Sequence, residues 1–159
     1  MPRVRLWHGS ATRIDAIEMH HSADGGFHVG TRDQATTRAR GVLHEIEAEI
    51  TRVRRSRDTG GNWKSKVRDA RSRGFDAIVY LNRYEGIPRE RFDELMKDGS
   101  HDRLDAMGDK AFRRLVPEAQ DSYIILRAED VRIVDVVDLN ASPNAECENA
   151  YSSPGICPL

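Results

Sequence analysis

Residues 74–86 read GFDAIVYLNRYEG. The run 77–81 is apolar at every position, which is typical of a strand buried on both faces. The segment 63–72 before it has the composition of a helix, and Gly74 is placed to end that helix. A polar stretch that includes Glu85 follows the strand directly.

A second segment predicts a strand with one buried face. Between residues 44 and 53, Ile46, Ala48 and Ile50 alternate with polar residues, and a period of two favours a strand over a helix. Further strands are predicted at residues 4–7, 27–29, 123–127 and 131–139, the first of them ended by His8-Gly9-Ser10. Helices are predicted at about 13–19, 32–40 after a Thr31 N-cap, 63–72, 88–97 and 102–115. Short strands among small helices indicate an α+β fold.

The length of 159 residues suits a single domain. We expect it to occupy residues 1–139 and to include a charge-rich helical segment at about 86–120, with Gly99-Ser100 between its two helices. The tail 140–159 is rich in Ser, Pro, Asn and Ala, and we expect it to be irregular.

The net charge of −1 hides an asymmetry between the two halves of the chain. Residues 1–75 carry 15 Lys and Arg against 9 Asp and Glu, whereas the remainder carries 10 against 17. A basic half suits an anionic ligand and an acidic half suits a basic partner, but two solvated faces of opposite sign are the simpler interpretation.

The sequence gives no indication of a membrane or metal protein. No apolar run approaches the roughly 20 residues needed to cross a bilayer, and we expect a cytoplasmic protein, or one delivered into the cytoplasm of a target cell. Cys147 and Cys157 lack zinc-site spacing, and free thiols are expected, with one disulfide as the alternative. The adjacent His20 and His21 are expected to diverge, so no metal site is predicted.

Several motifs occur in an informative order. LWHGS at 6–10 is followed by GFHVGT at 26–31, then by the stretch 74–86, and then by DSYIIL at 121–126. This arrangement resembles the ADP-ribosyltransferase fold. It is similar to the branch with a histidine in its first motif, which includes poly(ADP-ribose) polymerases and diphtheria-type toxins, and especially to phage and polymorphic-toxin members. The resemblance covers residues 4–137, with 86–120 as a long insertion.

The resemblance implies a split pair of small, mostly antiparallel sheets with peripheral helices and NAD⁺ in the cleft between the sheets. It implies that His8 binds the adenine-side ribose and that Gly9 offers backbone groups to the nicotinamide amide. Ser10 and Thr31 would lie near the same ligand. His28 stands where the family often has a tyrosine that packs on the nicotinamide ring.

Glu85 is the candidate catalytic acid of this arrangement. It would grip the nicotinamide ribose and stabilise the oxocarbenium-like charge that forms as nicotinamide leaves. In better-known branches the glutamate begins a later strand, at the position of Ser122 here, with Asp121 just before it. Asp121 as the acid, and Glu85 as an ordinary turn residue, therefore both stay open.

The resemblance predicts a mono-ADP-ribosyltransferase that uses NAD⁺ and modifies a protein or a nucleic acid, as a toxin or phage-related effector, with an antitoxin or immunity protein as a further partner. An NAD⁺ glycohydrolase and an inactive ligand-binding module on the same fold are the alternatives. The insertion is a candidate for target selection or for a lid. A basic run comprises Arg52, Arg54, Arg55 and Arg57. It is a candidate to bind the pyrophosphate of NAD⁺ or a nucleic acid, and the alternative is that it forms the solvated end of a strand.

Overall fold

The computed structural model describes residues 2–97 and 101–141. Within them the chain forms seven strands and five α-helices. In chain order these are β1 Arg3–Ser10, β2 Phe27–Val29, α1 Arg32–Arg38, β3 Val42–Glu49, β4 Val53–Arg55, α2 Trp63–Ser72, β5 Ala77–Leu81, α3 Arg89–Met96, α4 His101–Ala106, α5 Asp109–Leu115, β6 Asp121–Ile125 and β7 Val131–Asp138.

The strands form two small sheets. The first has the order β1-β3-β7 and the second β2-β6-β5-β4. Every neighbouring pair is antiparallel except β4 and β5, which are parallel. Two small sheets with separate helices agree with the α+β class predicted from the sequence.

The two sheets meet where β1 passes the end of β2. Trp7 and Gly30 exchange backbone hydrogen bonds of 2.8 and 2.9 Å. Ile46, Ala48 and Ile50, the alternating residues of the predicted strand, are 0%, 0% and 7% exposed, so the predicted buried face is confirmed. The predicted extent to residue 53 is wrong, because β3 ends at Glu49, before Ile50. They pack in one core with Leu6, Val29, Ala77 and Ile125.

Helix α1 lies across β1 and begins as predicted. Thr31 accepts a hydrogen bond from the Gln34 backbone, and the Gln34 side chain accepts one from the Thr31 backbone, which completes a capping box. A Cβ at Gly9 would lie 2.2 Å from the carbonyl oxygen of Ala35. Gly9 is therefore required for the close approach of α1 to β1, whatever else its backbone does.

Helix α2 packs on the second sheet and has the predicted bounds. Its buried residues Val67 and Ala70 contact Ile78 of β5 within one core. Gly74, with φ of 74°, supplies the left-handed conformation that turns the chain into β5. No helix of the described residues has the length and apolar character that a membrane span requires.

The helices of the insertion surround a small core of their own, composed of Leu81, Ile87, Leu104, Phe112, Val116 and Ala119. Arg83 fastens it to the end of β5, with its side chain only 2% exposed. The guanidinium donates to the backbone oxygens of Leu104 and Met107, pairs with Asp109 at 2.8 Å and lies over the Phe112 ring. The described part of the insertion is thus packed against the domain.

Four further local expectations need correction. His8-Gly9-Ser10 does not end β1, because the pairing with β3 continues to Ser10 opposite Val42. The helix predicted at 13–19 is wrong. That segment is irregular and leads to a 3₁₀ turn at Met19–His21, and the backbone N–H of Ile14 is bound by a side chain instead of by a helical carbonyl.

In the insertion the predicted helix 102–115 is divided into α4 and α5 around Gly108, and the short parallel strand β4 was not predicted as an element. Gly99-Ser100 lies outside the described residues. So do residues 142–159, which include Cys147 and Cys157.

The side chain that binds Ile14 belongs to His44, which is fully buried in β3. His44 Nε2 accepts from the Ile14 N–H at 2.8 Å, which requires the tautomer with hydrogen on Nδ1. Burial lowers the pKa of His44. A neutral His44 therefore holds the segment 11–18 against the first sheet.

We expect Gly9→Ala to lower the free energy of unfolding by about 1–3 kcal/mol, because its Cβ collides with backbone rather than with a movable side chain. Gly61→Ala is the matched control. Nothing lies within 4 Å of its Cβ position, so a change within about 0.5 kcal/mol is expected there. Urea unfolding followed by circular dichroism measures both, and equal effects would contradict the close approach of α1 to β1.

A second prediction concerns pH. The pKa of His44 is lower in the folded protein than the value of about 6.5 expected in the unfolded chain, so the unfolded chain binds more protons below that pH. The free energy of unfolding should hence fall as the pH drops from about 7 to about 5. His44→Gln retains an acceptor for Ile14 but does not titrate, so its decline should be shallower. An unchanged slope would contradict this role.

Candidate functional site

A cleft lies where β1 of the first sheet faces β2 of the second. We divide it into a first lobe of about 380 Å³, a second lobe of about 430 Å³ and a narrow neck of about 20 Å³ that shares residues with both. His28 and Arg38 border all three. The first lobe is flanked by Ile14, Ile17 and Phe27, whereas the second is bordered by aromatic and acidic side chains.

His8 projects from β1 into the first lobe and the neck. Its Nδ1 donates to the backbone oxygen of His28 at 2.7 Å, and its ring stacks on Phe27 with centroids 4.4 Å apart. Burial lowers the pKa of His8, so the ring is neutral at pH 7. A neutral ring with hydrogen on Nδ1 has an Nε2 that accepts hydrogen bonds.

His28 projects from β2 and is held by a carboxylate. Its Nε2 lies 2.7 Å from Asp24 Oδ2. Asp24 also accepts from the Ser22 hydroxyl and from the Gly26 N–H. Burial opposes ionisation of Asp24, but these hydrogen bonds outweigh it and hold the pKa of Asp24 well below its usual range. The His28 ring is thereby fixed at the junction of the two lobes.

Glu85 borders the neck and the second lobe. Its Oε2 accepts from Asn82 Nδ2 at 3.0 Å, and its Oε1 lies 3.5 Å from Arg38 Nε. Asn82 Oδ1 in turn accepts from the Glu85 backbone N–H. Asn82 therefore fixes both the backbone and the carboxylate of Glu85, which keeps 27% of its side chain exposed.

Ser122, the position at which the resemblance led us to look for a glutamate, is a buried residue that supports its neighbours. Its hydroxyl donates to Gln34 Oε1 at 2.8 Å and accepts from Asn82 Nδ2 at 3.0 Å. Ser122 is 3% exposed. Its role is to connect Asn82, and through it Glu85, with the start of α1.

Asp121 lies outside the cleft. Its carboxylate binds both terminal nitrogens of Arg55, at 2.9 and 2.7 Å, and one of Arg113 at 3.1 Å. Successive strand residues face opposite sides of a sheet, so Asp121 and Ser122 point to opposite faces of β6. This geometry favours Glu85 over Asp121 as the acid of the cleft.

Of the other residues predicted to bind the ligand, one borders the cleft and two do not. Gly9 borders the neck, so its backbone reaches the cleft. Ser10 donates to the backbone oxygen of Thr12, and Thr31 accepts from the Gln34 N–H. Neither borders the lobes or the neck in the described part of the chain.

The expectation that His20 and His21 diverge is wrong. Both Nε2 atoms approach Glu18 Oε2, at 3.4 and 3.1 Å, because the 3₁₀ turn brings the two rings together. All three side chains are exposed. They are a set that could hold a metal ion, but no other feature of the described residues points to one.

The basic run lies along and beside β4, away from the cleft. Arg54 pairs with Asp69, Arg55 with Asp121, and Arg57 donates to backbone oxygens of Asp105 and Met107. Arg52 lies over the Phe75 ring. These contacts within the fold agree with the interpretation of the run as a strand end.

The cleft thus combines a neutral histidine, a fixed carboxylate and exposed backbone beside β1. The residues that support them were not among the predicted site residues: Gln34, Arg38, Asn82 and Asp24. Asp58, which borders the second lobe, was not among them either. The spacing of Thr31 and Gln34 is the signal that could have revealed one of them, because it is the spacing of a capping box.

The chain was compared with protein-family models, curated proteins and solved structures, and none of the three comparisons gave a match.

Proposed function

We propose that the protein cleaves NAD⁺ at the nicotinamide bond and transfers ADP-ribose to a macromolecule. The observation that carries the proposal is the position of Glu85. Its carboxylate lies in the cleft between the two sheets, held by Asn82, and borders the same neck as His8 and Gly9. This is the combination that the resemblance to ADP-ribosyltransferases requires.

Glu85 provides the charge that this reaction needs. Loss of nicotinamide leaves positive charge on the ribose, and a fixed carboxylate stabilises such a transition state without reorganising. An ionised carboxylate only accepts hydrogen bonds, so Glu85 would also accept from a ribose hydroxyl. Asn82 holds one carboxylate oxygen of Glu85, and Arg38 lies 3.5 Å from the other.

Arg38 and His8 suit the remainder of the dinucleotide. A pyrophosphate that paired with Arg38 would compete with Glu85 for the guanidinium and leave the carboxylate to the ribose. The neutral His8 accepts at Nε2, as a ribose hydroxyl requires. The flat ring of His28 would stand in for the family's tyrosine beside nicotinamide.

The test uses purified protein and NAD⁺ labelled in its adenylate part, with and without added protein or nucleic acid. Nicotinamide release and label transfer are both followed. Glu85→Gln should lower nicotinamide release by about 10²–10³-fold while it retains binding of NAD⁺, because the amide keeps the size of the carboxylate. Asp121→Asn is the matched control and should stay within a few-fold of the wild type.

Each remaining outcome has a definite meaning. Equal turnover by Glu85→Gln and wild type would show that Glu85 is not the catalytic acid. If only Asp121→Asn lost nicotinamide release, Asp121 would be the catalytic acid instead. Release without transfer to any macromolecule would make the protein a glycohydrolase. A wild-type protein that neither binds nor cleaves NAD⁺ would contradict the proposal altogether.

A further inference from the structure

The second lobe contains a buried carboxylate that the proposed cleavage of NAD⁺ does not use. Asp58 borders this lobe and is 9% exposed. Its Oδ1 accepts from the Gly60 N–H at 3.0 Å. No Lys, Arg or His of the described residues lies within 4.0 Å of its carboxylate. A buried carboxylate is costly unless a cation or further donors reach it.

The other acids around the lobe already have side-chain partners within the fold. Glu85 faces Arg38 at 3.5 Å, and Asp24 faces His28 at 2.7 Å. Asp58 is therefore the acid of the lobe that is left for a ligand. Its negative charge also disfavours a phosphate-bearing ligand at this position.

The walls beside Asp58 are aromatic. Tyr80 is 5% exposed and packs against the Trp63 ring, with centroids 4.6 Å apart. Tyr84 donates its hydroxyl to Asp105 of the insertion at 2.7 Å. Burial, together with the hydrogen bond to Asp105 and the charge of Asp58, raises the pKa of Tyr84 to about 12. Both tyrosines are thus neutral rings at pH 7.

We propose that the second lobe binds the guanidinium group of an arginine side chain, which is the acceptor of ADP-ribose; this rests on the proposed function. A guanidinium is planar, stacks on aromatic rings and is weakly hydrated, whereas an ammonium is compact and strongly hydrated. Asp58 is its counter-ion. The lobe shares Glu85 and Arg38 with the neck, so the bound nitrogen faces the carbon from which nicotinamide departs.

The transfer balances without a further reactant. A guanidino nitrogen forms a bond to C1′ of the nicotinamide ribose. The bond from C1′ to nicotinamide breaks, and nicotinamide leaves as a neutral molecule with the bonding electrons. One N–H proton passes to water, so the products are ADP-ribosylated arginine, nicotinamide and a proton.

The insertion reaches residues of the cleft at two points: Asp105 contacts Tyr84, and the backbone oxygen of Gln120 accepts from the Asn82 N–H at 3.0 Å. None of its described residues borders the lobes or the neck, but Asp105 holds Tyr84 at the wall of the second lobe. The insertion thereby helps to position Tyr84 in the wall of the second lobe. This refines the expectation that it selects the target.

The test uses agmatine as a small guanidinium probe and 1,5-diaminopentane as an amine of similar length. Binding is read from the fluorescence of Trp63 in a Trp7→Phe background, since the chain has two tryptophans. Agmatine should bind at least tenfold more tightly than the diamine. Asp58→Asn should weaken agmatine binding at least tenfold, and its Oδ1 still accepts from Gly60, so the turn is kept. Asp93→Asn, which removes an exposed acid of α3, should have no effect.

Transfer is measured in the same proteins with labelled NAD⁺. In the wild type, label should pass to agmatine and to arginine residues of added protein. In Asp58→Asn the ratio of labelled agmatine to free ADP-ribose should fall at least tenfold. Circular dichroism checks that the variant is folded, and the comparison of agmatine with the diamine in the Trp7→Phe protein does not depend on the Asp58→Asn variant.

The outcomes separate this inference from the proposed function. If NAD⁺ is cleaved but agmatine neither binds nor accepts label, the guanidinium site is wrong and the proposed function stands. If NAD⁺ is not cleaved but agmatine binds through Asp58, the site stands and the proposed function fails. Equal binding of agmatine and the diamine, equal binding to Asp58→Asn, or transfer to nucleic acid alone would overturn the inference.

Discussion

The side-chain amide of Gln34 is the contact on which the cleft depends. Its Oε1 accepts from the Thr31 backbone and from Ser122, and its Nε2 donates to the backbone oxygen of Gln120. The amide is 2% exposed, so each bond is made away from water, where an unmade one costs about 1–3 kcal/mol. One buried group therefore joins the start of α1 to the start of β6.

Two glycines make room for this amide. A Cβ at Gly30 would lie 2.1 Å from Gln34 Oε1, and a Cβ at Gly86 would lie 2.7 Å from Gln34 Cγ. From Gln34 the bonds continue through Ser122 and Asn82 to the carboxylate of Glu85. Glu85 is thus positioned by α1 and the second sheet, although the long insertion begins directly after it.

The sequence predicts what depends on local patterning. Period two identified β3, an unbroken apolar run identified β5, and Thr31 with Gly74 marked the limits of α1 and α2. Predictions from local patterning were wrong where a residue distant in sequence determines the local structure. Ile14 is kept out of a helix by His44, thirty residues away, and His8-Gly9-Ser10 stays in a strand because β3 pairs with it.

The residues of the candidate site likewise fall into two groups, those in local motifs and those that only tertiary packing brings together. His8, His28 and Glu85 belong to short motifs and were predicted, whereas Asp58 and Trp63 join the cleft only because α2 folds back onto β5. No spacing in the sequence connects Asp58 to Glu85, which lies 27 positions further along the chain. The charge left over at Asp58 is visible only after the pairs of Glu85 with Arg38 and Asp24 with His28 have been identified. A motif can thus indicate candidate residues such as Glu85, but Asp58 and the aromatic walls beside it are brought together only by tertiary packing.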